Sequence, residues 1–294
     1  MMSSFSIRSR LCRKFSQQRV DALSQRGFSL LEVAIVLIIV TILLTAVGVP
    51  LASQVQARRT EETRRVLEET KDALLGFTVA NSRLPCPATA SSMGLESFCP
   101  AGTMTGTCAG SETTVVQTHG NCSNFYDGFL PAASLGLSGL DNQGFLRDSW
   151  GEQANRLRYA VYSPNRNSPP TAVNLENHPF TRPGGMQAAT ITNLGASTAT
   201  YIYICASATG VTAANCGTAI TLTTKAPILV FSLGANASAS SNGTDETENL
   251  SASNNKVFVS HTPTIGGTNE FDDIATWISV NTIIKKMLDA GKLP

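Results

Sequence analysis

Apolar positions fall along this chain in three regimes. Residues 28–52, FSLLEVAIVLIIVTILLTAVGVPLA, form a nearly unbroken apolar run whose single charge, Glu32, sits near its start. A run of that length suffices to cross a bilayer as a helix, for which about 20 apolar residues are needed. From residue 53 to 81 the apolar positions narrow to a stripe of Val55, Val66, Leu67, Leu74, Leu75 and Phe77. Glu61–Arg65, Arg64–Glu68 and Arg65–Glu69 are spaced for i,i+4 pairing on the opposite side. The two regimes join without a break, so the pattern predicts one helix from Phe28 to about Asn81, roughly 80 Å long at about 1.5 Å per residue. Gly48 and Pro50 are placed to bend it, and Leu84-Pro85-Cys86-Pro87 to end it.

In the third regime, short β-branched and aromatic runs alternate with stretches rich in Gly, Pro, Asn and Ser. Strands are predicted at 113–118, 156–162, 201–206, 220–224, 228–232 and 256–260. Residues 163–198 and 234–255 read as long loops or insertions. The segment 273–288 reads as a closing helix, with Ile274, Trp277, Ile278, Ile284 and Leu288 on one face. Asp272 or Asp273 is placed to cap it, and Gly291 and Pro294 to close it. The expected class is α+β: a long N-terminal helix, its first half membrane-spanning, packed on an antiparallel sheet with long loops and a C-terminal helix.

Charge gives this layout a direction. The net charge is only +1, yet residues 1–27 hold six basic residues against Asp21 alone, a local +5, so the remainder is mildly acidic. The flank after the apolar run, 58–72, is balanced. The positive-inside rule therefore puts the N-terminus in the cytoplasm and the body across the inner membrane, as a single-pass protein. Nothing in this distribution indicates nucleic acid. Of seven cysteines, Cys12 lies in the basic leader. The other six suit an oxidising compartment and up to three disulfides. Six cysteines allow fifteen full pairings. Spacing favours Cys205–Cys216 across a hairpin-like connection and Cys86–Cys122 between the helix end and the return of the chain at Tyr126-Asp127-Gly128. That leaves Cys99–Cys108 across a Gly/Thr-rich loop. There is no Cys-x-x-Cys zinc spacing.

The string Arg26-Gly27-Phe28-Ser29-Leu30-Leu31-Glu32, followed by the apolar run, resembles the prepilin signature of type IV pilins and type II secretion pseudopilins. The resemblance implies cleavage between Gly27 and Phe28 by a prepilin peptidase, N-methylation of Phe28, and pairing of Glu32 with the N-terminal amine of a neighbouring subunit. Physics suits these roles. Gly27 lets the backbone enter a protease cleft, and a carboxylate in an apolar helix is costly unless paired. One departure is that Pro50 stands one position beyond the proline common in that family. The implied layout is a removed leader (1–27), an assembly helix (28–52), its amphipathic continuation (53–84) and an extracytoplasmic pilin-like domain (85–294). An ordinary secretory signal, cut after the apolar run, competes with this reading, as does a plain signal anchor.

Three body segments resemble the major pseudopilin of type II secretion: Asp148-Ser149-Trp150-Gly151 with the following Leu157–Pro164 stretch, Val230-Phe231-Ser232-Leu233-Gly234-Ala235-Asn236, and Phe271-Asp272-Asp273-Ile274-Ala275-Thr276-Trp277. In that family the last two help form a calcium-binding loop. Here Asn236 replaces an Asp and the intervening loop is longer. The candidate ligands are Asp272, Asp273 and the Leu233 carbonyl, with Asp245 and Glu246 as further oxygen donors. The simpler alternative, in which Asp272 caps a helix and Asp245 is solvated, has more support from the sequence, so no cofactor is expected unless that loop survives.

Enzyme signatures are missing: no Walker loop, no His-Glu-x-x-His and no Gly-x-Ser-x-Gly elbow. His119, His178 and His261 are scattered. The expectation is a structural or priming subunit, a minor pilin or pseudopilin whose partners are the peptidase, other subunits and the membrane. The alternative is a periplasmic binding or enzymatic domain on a simple signal anchor.

Overall fold

The computed structural model describes residues 29–100, 108, 110–164, 178–189, 191–238, 243–250, 255–264, 266–267 and 269–293, with the side chains of 44–52 and 192 left aside. The leader, including Cys12, Gly27 and Phe28, lies outside the described residues. The chain divides into two units, Met1–Ser53 and Gln54–Pro294.

Helix α1 (Leu30–Asn81) carries the first two regimes as one assigned helix of 52 residues, continuing through Gly48 and Pro50. In the first unit its apolar side chains from Leu30 to Leu43 are exposed. Among the described residues, no helix is long and apolar enough to cross a membrane.

In the second unit, the face of α1 turned to the core is Thr63, Leu67, Thr70, Leu74 and Thr78, all essentially buried. The spacing is that of one helical face. Buried hydroxyls are tolerated here because Thr70 and Thr78 donate to the carbonyls of Val66 and Leu74, at 2.8 and 2.6 Å, and Thr63 Oγ1 accepts from the Ser149 amide at 3.2 Å. Val55, which the apolar stripe includes, is exposed. Of the three expected i,i+4 pairs, Arg65–Glu69 forms at 3.0 Å. Arg64 instead lies 4.0 Å from Glu61, and Glu68 takes Lys71 at 3.0 Å. The helix stops at Asn81 because Ser82 turns left-handed, φ 54°, while its amide still donates to the Thr78 carbonyl. Arg83 and Glu96 then form a buried bidentate pair whose second contact is 2.8 Å. Glu96 also accepts from the Cys86 amide at 2.8 Å.

The body has two sheets. One is four-stranded and antiparallel, in the order β1 (Gly128–Phe129), β2 (Arg158–Val161), β5 (Ile228–Ser232), β7 (Ile274–Ile278). The other has the order β4 (Thr221–Ala226), β3 (Ile202–Cys205), β6 (Val257–Val259), with β3 parallel to β6. The class is α+β, but the single antiparallel sheet expected is two sheets, the second mixed. Every residue of β5 is buried, which fits its unbroken apolar sequence and its central place. β4 and β5 are separated by Pro227 alone yet belong to different sheets. Proline has no amide to donate to a ladder, so a sheet corner is where it fits. The long loops contain three short helices, α2 (Gly185–Ala188), α3 (Ile191–Leu194) and α4 (Thr244–Asn249).

Two expectations need correction. Residues 113–118 form no strand: Thr113 makes a single bridge to Phe98, and Val115 and Val116 are exposed. A β-branched run without a burying face has nothing to hold it in a sheet. The helix expected over 273–288 is strand β7 followed by helix α5 (Val280–Asp289). β7 pairs along β5 from Ser232↔Ile274 to Ile228↔Ile278, so an open ladder edge outweighs helical spacing. The cap of α5 is Ser279, which accepts from the Thr282 amide at 3.2 Å, and not Asp272 or Asp273.

Three disulfides close the loops: Cys86–Cys122, Cys99–Cys108 and Cys205–Cys216. They are the pairs that spacing favoured.

Candidate functional site

Two places carry chemistry, one in each unit, and each is described by itself. In the first unit, Glu32 lies in the first turn of α1. Its amide donates to the Ser29 carbonyl at 2.9 Å, which starts the helix, and its side chain is exposed among exposed apolar neighbours. Exposed apolar surface of this extent marks a binding or membrane face. Gly27 and Phe28, the expected cleavage pair, lie outside the described residues.

In the second unit the three body segments singled out in the sequence come together. Asp148 is buried and accepts from Ser232 Oγ at 2.6 Å, Asn155 Nδ2 at 2.9 Å and the Trp150 amide at 2.9 Å. Burial raises its carboxyl above the ordinary value, against those hydrogen bonds. Asn155 also donates to the Gly234 carbonyl at 2.6 Å. Gly234 holds φ +66°, and a Cβ there would lie 2.1 Å from Asp272 Oδ1, so the turn after β5 requires glycine. That turn delivers the Ala235 amide to Asp272 Oδ2 at 2.7 Å. Leu233, whose carbonyl is a candidate ligand, is buried at its start.

Helix α4 brings Glu246 into the same cluster. Glu246 accepts from Asn236 Nδ2 through both oxygens, at 3.1 and 2.9 Å, and from the Asp272 amide at 2.8 Å. Asp273 is buried and accepts from Asn249 Nδ2 at 2.7 Å. Glu246, Asp272 and Asp273 can each place one oxygen so that all three lie within 4.8 Å of one another. Among the described residues, Asp272 Oδ1 and Asn236 Oδ1 are buried without a hydrogen-bond partner. Burial pushes the Asp272 carboxyl up to about 6, against the Ala235 amide, and the nearby Glu246 charge pushes the same way. Asp273 is raised well above its ordinary value by burial, with Glu246 and Asp272 adding to it.

Crowded carboxylates with two orphaned oxygens form an all-oxygen donor set, which fits a hard divalent cation such as calcium. Asp245, expected as a substitute ligand, turns away. It is buried and accepts from the Ala208 amide, Ser207, Asn269 and His261, and these bonds lower its carboxyl despite burial. The neighbouring Glu246 takes its place. Sequence spacing alone did not choose between adjacent acids on an inserted helix; the direction of α4 does. Nor does Asp272 cap a helix, since β7 follows it.

Against known families, residues 23–48 match the model of the prokaryotic N-terminal methylation motif, the prepilin-type cleavage and methylation signal of type IV pilins and pseudopilins. The match covers the end of the leader and the first part of α1. No curated protein and no solved structure matches the chain.

Proposed function

We propose, from the prepilin-type signal at residues 23–48, that this chain is the precursor of a filament subunit, a minor pilin or pseudopilin that builds or primes an assembly and is not itself an enzyme. The observation that carries the reading is this signal running directly into a helix that starts at Leu30. A peptidase cuts between Gly27 and Phe28 and methylates the new amine. The apolar run 28–52 anchors the subunit in the inner membrane with the body outside the cytoplasm. Glu32 pairs with the amine of a neighbour and so sets axial register, a use for which buried charge is suited. The disulfide-bearing loops and the size of the body favour a minor role over a repeating one.

Mass spectrometry of the N-terminus from the membrane fraction tests the reading. We expect N-methylated Phe28, and an uncut precursor for Gly27→Leu. A mature N-terminus at or beyond Ser53 would replace this reading with a secretory one. Glu32→Val is expected to insert and melt like wild type yet enter filaments poorly; normal incorporation at limiting expression argues against the pairing role.

We also propose that Glu246, Asp272 and Asp273, with the Asn236 oxygen, hold a calcium ion that stabilises the body. The full chain in detergent should melt at a higher temperature in millimolar calcium than in chelator, since a ligand bound only to the folded state stabilises it. Asp273→Ala should remove the difference. No difference in wild type leaves the cluster without a metal.

A further inference from the structure

A separate recess lies in the second unit, lined by residues just after β2 and by residues of and around α2 and α3. Its volume is about 450 Å³, within the range of small-molecule sites, roughly 300–1,000 Å³. Three aromatic rings shape it. Tyr162 meets Tyr201 edge-on with centroids 5.1 Å apart, Phe180 meets Tyr201 at 5.2 Å, and Tyr162 meets Phe180 at 6.2 Å. Phe180 and Tyr201 are buried in the core, and the Tyr201 hydroxyl is committed to the Leu194 carbonyl. The rings are therefore fixed before any ligand arrives.

Arg182 stands on the same wall. Among the described residues its Nε is buried with no hydrogen-bond partner, and no ion pair involves it. No Asp or Glu among the described residues lines the recess. A guanidinium whose Nε is buried with no counter-charge among the described residues is a costly arrangement, and an incoming anion relieves it through charge-assisted hydrogen bonds. Apart from Arg182 and the tyrosine hydroxyls, the side chains able to hydrogen-bond are Asn193 and Thr200. That is too few for a sugar, whose hydroxyls each need a partner when buried. A flat ring, by contrast, finds an aromatic partner in the half-buried Tyr162.

We infer that this recess binds a small carboxylic acid built on an aromatic ring, with the ring against Tyr162, which Phe180 and Tyr201 hold in place, and the carboxylate on Arg182. The test uses the full chain in detergent and three probes, followed by calorimetry or ligand-observed NMR. These are 3-phenylpropionate, its neutral amide, and hexanoate, an acid with no ring. Loss of one charge-assisted bond weakens binding about tenfold or more. The expected order is therefore 3-phenylpropionate at least about tenfold tighter than its amide, and tighter than hexanoate, which keeps the charge but lacks the ring. Arg182→Gln should bind acid and amide alike, and Tyr162→Leu should weaken both. No binding of 3-phenylpropionate at millimolar concentration, or equal binding of acid and amide to wild type, overturns the inference. The wild-type comparison decides the matter even if a variant fails to fold.

Discussion

Gly234 shows how much a single residue decides. Its left-handed φ and the 2.1 Å approach of Asp272 Oδ1 to the position a Cβ would take are separate obstacles to any side chain. Gly136 offers a control: its φ is +68°, but nothing lies within 4 Å of its Cβ position. Gly136→Ala should incur only the left-handed conformation, about 1–2 kcal/mol. Gly234→Ala should cost clearly more, because the Asp272 backbone also lies in the way. Urea melts of the two variants side by side check this; equal losses would mean the turn moves freely. The Ser-Leu-Gly-Ala string flagged this glycine. Glu246, which accepts from Asn236 and the Asp272 amide, was no more than one of several available acids, because nothing in a sequence says which way an inserted helix turns.

His178 gives the second residue-scale prediction. It is buried, stacked on Phe125 with centroids 5.2 Å apart, and joined to Ser163 Oγ through Nδ1 at 2.8 Å. Burial, with the positive charges of His119 and Arg182 acting in the same direction, lowers its pKa to about 4. The unfolded chain then takes up this proton first. The stability due to neutral His178 is fully present above pH about 6.5 and is lost as pH falls from there to about 4. Melting temperature against pH should fall more steeply over that window in wild type than in His178→Gln. Parallel curves would remove His178 from the acid response. The sequence shows only a histidine in a Pro-rich loop; its burial comes from tertiary packing.

At the scale of elements, α1 was legible in outline and misread in detail. The apolar stripe found Leu67 and Leu74 but passed over Thr63, Thr70 and Thr78, which share their face. A threonine counts as polar in a hydropathy pattern, yet in a helix its hydroxyl finds a carbonyl one turn back and its methyl packs. Leu74→Ala should therefore cost about 2–5 kcal/mol. Thr70→Val, which removes a hydroxyl satisfied within its own helix, should change stability by less than about 1 kcal/mol. Chemical denaturation of both variants measures the contrast. A large loss in Thr70→Val would mean the hydroxyl serves a partner beyond α1. Strands β3, β5 and β6 were visible because their apolar runs are short, β-branched and bounded by loop residues. β7 was hidden because Ile274, Trp277 and Ile278 also fit a helical face. What separates the two readings is the open edge of β5, which lies far away in sequence.

For the whole second unit, cross-links set the balance. Cys86–Cys122 spans 36 residues, against 9 and 11 for the other two. In the chain-entropy account its removal should cost about 4 kcal/mol, and removal of either short one about 2.7 kcal/mol. Paired Cys→Ala variants, compared by equilibrium unfolding, test that ranking. The result would fail if the Cys205–Cys216 variant were the least stable of the three. The cysteine spacing made this framework readable: Cys205–Cys216 bracket a short hairpin-like connection, Cys86 follows the helix end and Cys122 the return of the chain, and Cys99–Cys108 is then the pair left. The division of the body into two sheets, with Pro227 at the corner, was not readable, since strand order depends on pairings that no local pattern encodes.

The junction at the end of α1 has a mechanical side. Tension entering the body along that helix reaches the rest of the chain through residues 82–87. There the Arg83–Glu96 pair and the Cys86–Cys122 bond shunt it past the whole intervening loop. The bond thus acts as a stop that keeps 36 residues of slack from paying out under load. Pulled between Gln54 and Leu293 in a single-molecule instrument, the oxidised chain should be shorter at full extension than the reduced chain. Release of this one loop contributes on the order of 120 Å at about 3.4 Å per residue. A reduced chain no longer than the oxidised one at full extension would show that Cys86 and Cys122 do not close this loop.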